Sequence, residues 1–160
     1  MQRNPYYSGP PSDHFDGTRF FIRGHSRDKT RADMWRWFST RRRARWPHYW
    51  PSPFHDHPPE RVIGGKIRVT MIGHASVLIQ TQGLNLLIDP VWSERASPVT
   101  FAGPRRVNRP GVDLDKLPPL DAVLISHNHY DHMDVATLSK LARRHAPRVI
   151  TPLGNDVILR

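Results

Sequence analysis

The stretch Asp121–Asp134 constrains this chain more than any other, because a short apolar run gives way at once to a cluster of histidines and aspartates. Asp121-Ala122-Val123-Leu124-Ile125-Ser126 has the continuous aliphatic character of a buried strand. His127-Asn128-His129-Tyr130-Asp131-His132 follows directly, then Met133 and Asp134. Asp134 is placed to cap a helix over 135–145, with Val135, Leu138, Leu141 and Ala142 on one face. Alternate side chains of extended backbone point the same way, so His127 and His129 can face one metal ion. Asp131 and His132 come next as the chain bends and can serve a second. The chain contains no cysteine, which excludes disulfides and thiolate zinc sites and leaves imidazole and carboxylate as metal donors. The carboxyl end of a buried strand is also where open α/β sheets carry their sites. A lone H-x-H pair arises easily by chance. H-x-H-x-D-H between an apolar strand and a capped helix is far more specific.

The flanking sequence reads as a layered domain behind an irregular arm. Residues 1–17 and 47–59 are punctuated by Pro and Gly, and 29–45 has helical character around Met34, Trp35, Trp37 and Phe38. From residue 66 the period changes to strand-like alternation, with strands expected over 66–72, 76–80 and 84–89 and a turn at Gln82-Gly83. Residues 93–119 form a long proline-bearing loop of the kind that is often functional. A further strand at 148–151, the turn Pro152-Leu153-Gly154 and the start of a helix complete the chain. The domain division is 1–60 for the basic, aromatic arm and 61–160 for the core-forming part.

The formal net charge of +10, from 24 Lys+Arg against 14 Asp+Glu, is concentrated in residues 19–45, densest at Arg41-Arg42-Arg43 and Arg45. Such a balance favours anionic partners, although a charge run more often serves solubility. The N-terminus lacks the apolar core of a signal peptide, and no apolar run is long enough to span a bilayer. A cytoplasmic protein is expected, with peripheral membrane contact through the basic, Trp-rich segment left open.

Several pieces together resemble a known family. Ser12-Asp13-His14-Phe15-Asp16-Gly17 with Arg19-Phe20, Gly73-His74-Ala75-Ser76, Leu87-Ile88-Asp89-Pro90, Ser126-His127-Asn128-His129-Tyr130-Asp131-His132 and Pro152-Leu153-Gly154 occur in that order. The histidine run resembles the signature of the metallo-β-lactamase-fold hydrolases. The surrounding pieces resemble its N-acyl-phosphatidylethanolamine-hydrolysing phospholipase D-like branch. The resemblance implies an α/β fold, layered as the N-terminal half of an αββα sandwich. It implies two metals, usually zinc, with His127 and His129 on the first and Asp131 and His132 on the second. A hydroxide bridging the two zinc ions would be the nucleophile, oriented by Asp131, and the substrate a phosphodiester such as a phospholipid. Family members are longer, and their second half supplies a further His, an Asp and a final His. The 160-residue chain is therefore expected to be a truncated first half, binding metal weakly and turning over little.

Other residues carry two readings each. His74 either lines the metal pocket or is a buried, hydrogen-bonded histidine. Asp89 either orients a ligand histidine or shapes a turn. His55-Asp56-His57 reads as a solvated loop, and Asp13, His14 and Asp16 as ties that fix the arm. His25 and His145 read as surface residues, and Trp35, Trp37, Trp46 and Trp50 as packing for the arm. Three functions fit: a phosphodiesterase, a lactone, ester or amide hydrolase of the same fold, and a basic nucleic-acid-binding module. No nucleic-acid motif accompanies the charge, so no specific nucleic acid is expected. Oligomeric state is not encoded in any pattern we find.

Overall fold

Alternating apolar residues and a Gln-Gly turn call for a meander, and the computed structural model, which describes residues 4–24, 29–42 and 44–160, contains one. Strands β1 (Ile67–Gly73), β2 (Ser76–Thr81) and β3 (Leu84–Ile88) pair antiparallel in sequence order. The β2–β3 turn has Gln82 at φ 52° and Gly83 at φ 75°, the doubly left-handed pair that matches the twist of a two-residue hairpin. Strands β4 (Ala122–Leu124) and β5 (Arg148–Ile150) then add parallel, giving the order β1-β2-β3-β4-β5.

Register decides what meets at the sheet's end. Val77 is opposite Ile88, and Ile88 is opposite Leu124. The β1–β2 turn and the carboxyl ends of β3 and β4 therefore lie at one edge. His74, Asp89 and the histidine run, scattered in sequence, emerge there together.

Helix α2 (Val135–His145) crosses from β4 to β5, and Asp134 caps it, its side chain accepting from Thr137 N. Arg143 and Arg144 occupy the last turn, where positive charge suits the helix dipole. Ala146 adopts the left-handed conformation and Pro147 follows, stopping the helix. The buried face differs from the one expected. Thr137, Leu138 and Leu141 point inward, whereas Val135 and Ala142 are exposed, because the Thr137 hydroxyl turns in to bond the buried Asp134 carboxylate at 2.6 Å. His145, expected at the surface, is half-buried with Nε2 enclosed and lacking a hydrogen-bond partner. Burial, with Arg144 beside it, pushes its pKa down. A short helix, Asp156–Leu159, ends the chain.

One face of the sheet holds the core. Ile72, Leu78, Leu87 and Val123 pack with Leu138 and Leu141 of α2, and the connection after β3 contributes Val112, Leu117 and Leu120. The long segment 93–119 is thus partly core rather than free loop, and it includes a single 3-10 turn at Leu114–Lys116. The opposite face carries Ile67, Val69 and Met71 of β1, all more than half exposed, with Ile150 of β5 likewise open.

Two compact units arise, Met1–Trp46 and Pro47–Arg160. Residues 47–60, which composition groups with the arm, are bonded to the sheet. Asp56 accepts from Arg68 at 2.7 Å and from Thr70 at 2.9 Å, and the Pro59 and Glu60 carbonyls accept from buried Gln80 and Asn85. His55-Asp56-His57 is accordingly a tether through Asp56. Arg61 pairs with Asp121 nearby.

The first unit has its own small aromatic cluster of Tyr7, Phe15 and Phe20, with ring centroids 4.6–5.2 Å apart. Asp16 closes a local turn by accepting from Thr18 N and Arg19 N, and His14 pairs with Asp13. Helix α1 (Arg31–Thr40) starts at a Thr30–Asp33 capping box. Trp35, Trp37 and Phe38 on it, and Trp46 and Trp50 beyond it, are exposed rather than packed. His25 and Arg43 lie outside the described residues. Among the described residues no helix is long and apolar enough to cross a membrane.

Candidate metal centre

The site is built on three chain segments that the sheet brings to one edge. The first is the β1–β2 turn. Gly73 sits at φ 143° and His74 at φ 53°, a left-handed conformation uncommon outside glycine and tolerated best by Asn, Asp and His. That backbone sends the His74 ring toward the histidine run, where Nε2 lies 3.0 Å from Asp131 Oδ2. The second segment is the end of β3. Asp89, at φ 43°, is buried, and its backbone N–H donates to Leu124 O at 2.9 Å. The third runs from Ser126 to His132.

Within that third segment, His127 Nε2 and His129 Nδ1 approach to 3.1 Å. Two imidazoles on a tetrahedral zinc, each bonded at about 2.0–2.1 Å, would hold their nitrogens ~3.3 Å apart. The pair is therefore spaced to chelate one ion. His74, Asp131 and His132 form a second group whose donor atoms all lie within 4.8 Å of one another. The His127 and His132 rings adjoin, with centroids 4.0 Å apart. Nitrogen and carboxylate donors arranged as adjacent sets suit zinc without thiolate.

Asp89 organises this edge. Its Oδ2 receives His132 Nδ1 at 2.8 Å and Ser126 Oγ at 2.6 Å, and its Oδ1 receives Ser126 N at 2.7 Å. Burial opposes its ionisation, but the bonds from His132 and Ser126 outweigh burial and hold the carboxyl below the usual range. A carboxylate can only accept, so His132 Nδ1 carries the proton and Nε2 is left with its lone pair. Such a carboxylate–histidine contact fixes the tautomer and ring orientation of metal-ligating histidines. Asp131 is held ionised in a similar balance: burial raises its pKa, and the hydrogen bond from His74 leads the opposing effects.

Of the residues singled out from sequence, His127, His129, Asp131 and His132 lie together, and Asp89 contacts both His132 and Ser126. His74, read from sequence only as a pocket residue or a buried histidine, is half-exposed and joins Asp131 and His132. A Gly-His pair at a tight turn between strands was the available signal, but strand order was needed to interpret it. Beside the site lies a pocket of about 570 Å³ lined by Arg95, Val99, Tyr130, Met133 and Val135, among others. Tyr130 lines it and stands between His129 and Asp131 in the sequence.

A mixed α/β sheet with a His/Asp cluster at its strand ends is consistent with a domain of the metallo-β-lactamase type. Residues 84–160 match the sequence model of the beta-lactamase superfamily domain. An uncharacterised protein of Mycobacterium tuberculosis is 42% identical over 95 residues, 59% of this chain and 26% of the relative. An N-acyl-phosphatidylethanolamine-hydrolyzing phospholipase D of Caenorhabditis elegans is 41% identical over 87 residues, 53% of this chain and 24% of the relative. A metal-dependent hydrolase of an Anaeromyxobacter species is 37% identical over 97 residues, 59% of this chain and 31% of the relative. The chain thus spans less than a third of the length of each of these relatives.

Proposed function

We propose that this chain carries part of a two-zinc hydrolase site acting on phosphodiesters, with a phospholipid as the favoured substrate. The observation that carries the reading is the pairing of two donor groups at one sheet edge: His127 with His129, and His74 with Asp131 and His132. The likeness to a phospholipase D of C. elegans favours a phosphodiester over a lactone or amide. Zinc bound there would supply a water that ionises near neutral pH and positive charge for the phosphoryl oxygens.

The protein's own groups do the rest. His127 and His129 present nitrogens to the first ion. His74, Asp131 and His132 would hold the second, with His132 aimed by Asp89. Asp131, ionised and able only to accept, orients the attacking water by taking a hydrogen bond from it. The pocket bounded by Tyr130 and Val99 would hold apolar parts of the substrate. The exposed Trp35, Trp37 and Phe38 of α1, with the Arg41 guanidinium 4.5–4.7 Å from the Trp37 and Phe38 rings, would suit an anionic lipid surface.

Zinc-loaded chain tested against bis-p-nitrophenyl phosphate, an N-acylated phospholipid in mixed micelles and a lactone checks the reading. Each ion has few protein ligands among the described residues, so turnover is expected to be low. Zinc binding and phosphodiester cleavage that vanish together in His127→Ala support the proposal. Zinc binding unchanged by His127→Ala and His132→Ala combined would sink it, and turnover of the lactone alone would change the substrate class.

A further inference from the structure

The Asp89 carboxylate reaches beyond His132. Ser126 Oγ lies 2.6 Å from Asp89 Oδ2 and, on its other side, 2.9 Å from His127 Nδ1. A hydroxyl has one proton to give and lone pairs to accept with. Three donors converge on Asp89: Ser126 N, Ser126 Oγ and His132 Nδ1. The Ser126 proton is therefore committed to the carboxylate, and its Oγ can only accept from His127. That obliges His127 to carry its proton on Nδ1, which leaves Nε2 bare, the atom facing His129 Nδ1 at 3.1 Å.

We propose that Ser126 is a positioning residue that relays the Asp89 carboxylate to His127, so that one buried acid sets the tautomers of imidazoles in both donor groups. Asp89 acts directly on His132 and through the Ser126 hydroxyl on His127. The chain His127–Ser126–Asp89–His132 also ties the two groups mechanically, because each ring is held by a bond to the same short network. Ser126 has this reach because β4 ends at Leu124 while β3 ends one residue before Asp89. In parallel register the two loops therefore leave the sheet side by side. Asp89's left-handed backbone, φ 43°, turns its carboxylate across to the Ser126 N–H. Glycine would adopt that backbone more cheaply, but glycine has no carboxylate.

The relay's bearing on metal binding rests on the two-zinc reading, whereas its tautomer pattern does not. The test is long-range 1H–15N correlation spectroscopy of the metal-free 160-residue chain at a pH above the imidazole range. Wild type is expected to show His127 and His132 in the Nδ1–H form. In Ser126→Ala, His127 shifts toward the Nε2–H form that free histidine prefers, and His132 stays as it was. The backbone bond from Ser126 N to Asp89 is kept in that variant, so the loop should hold. In Asp89→Asn both rings are released, and Ser126→Thr keeps the wild-type pattern. Zinc affinity is expected to fall about tenfold or more in Ser126→Ala and to be restored in Ser126→Thr. His127 remaining in the Nδ1–H form in Ser126→Ala, or found as Nε2–H in wild type, overturns the relay. Expected tautomers in a chain that binds no zinc would remove the metal reading and leave the relay standing.

Discussion

His74 Nε2 lies 3.0 Å from Asp131 Oδ2, although 57 residues of chain separate them. An acceptor-only carboxylate draws the Nε2 proton toward itself, and a cation replacing that proton would sit between the two groups. Because His74 is left-handed at φ 53°, His74→Gly is the cleaner probe, removing the ring and relieving the backbone. Zinc affinity should fall about tenfold in a competition titration with a chromophoric chelator, with no loss of stability. His74→Ala should show the same affinity loss and be about 1 kcal/mol less stable than His74→Gly, since alanine keeps the strain of positive φ that glycine relieves. Wild-type affinity in His74→Gly would exclude His74 from the site.

Asp134 is the most heavily bonded buried acid among the described residues. Its oxygens accept from Thr137 N and Oγ, from Ser93 N and Oγ, and from Trp92 N. Asp134→Ala loses a helix cap and strands buried donors, so a cost of about 2–4 kcal/mol is expected in urea unfolding. A cost below ~1 kcal/mol would mean that water replaces those bonds.

The same residue predicts a pH dependence. Burial opposes ionisation of Asp134, but bonds led by those from Thr137 and Ser93 hold its folded-state pKa below the usual carboxylate range. Its stabilisation is therefore present above about pH 4 and lost as pH falls through the depressed folded value. Asp89, with its folded value also lowered, adds in the same direction. Urea midpoints measured from neutral to acid pH should drop more steeply for wild type than for Asp134→Asn. Parallel curves would mean that Asp134 does not contribute through its charge.

Gly83 tests the hairpin by itself. Its φ is 75°, and a methyl added there would meet Ile63 Cγ2 only at 4.0 Å, so backbone strain is the sole cost. Gly83→Ala should destabilise by about 1 kcal/mol, measured as a shift in urea midpoint without change in slope. An unchanged midpoint would show that the turn can adopt another conformation.

The open sheet face makes a solution prediction. Ile67, Val69 and Met71 alternate along β1 and are 69%, 63% and 59% exposed, with Ile150 exposed on β5 as well. Apolar surface of this extent promotes association. Replacing Ile67 and Val69 by Lys should reduce binding of a hydrophobic dye and concentration-dependent self-association, while zinc affinity stays as in wild type. Dye binding that does not change would place the sticky surface elsewhere.

Much of this molecule is legible from sequence by local physics. Alternation along 67–73, the Gln82-Gly83 turn, the aliphatic run before Ser126 and Asp134 ahead of α2 all act through near neighbours, and the described elements follow them within a few residues. The cluster His127, His129, Asp131 and His132 was legible for the same reason, since its members share one short loop. The buried face of α2 was not, because a polar Thr137 is drawn inward only by a carboxylate that Trp92 and Ser93 also bind. Nor was the part played by the 93–119 connection, whose Val112 and Leu117 enter the core far from any periodic pattern. His74, Asp89 and Ser126 mark the division most clearly. The sequence alone determined that each stands at the end of a strand. Only the strand order and the Val77–Ile88–Leu124 register decided that those ends coincide. Hydrogen bonds of under 3.1 Å need atoms placed by the whole sheet, and no local propensity carries that information.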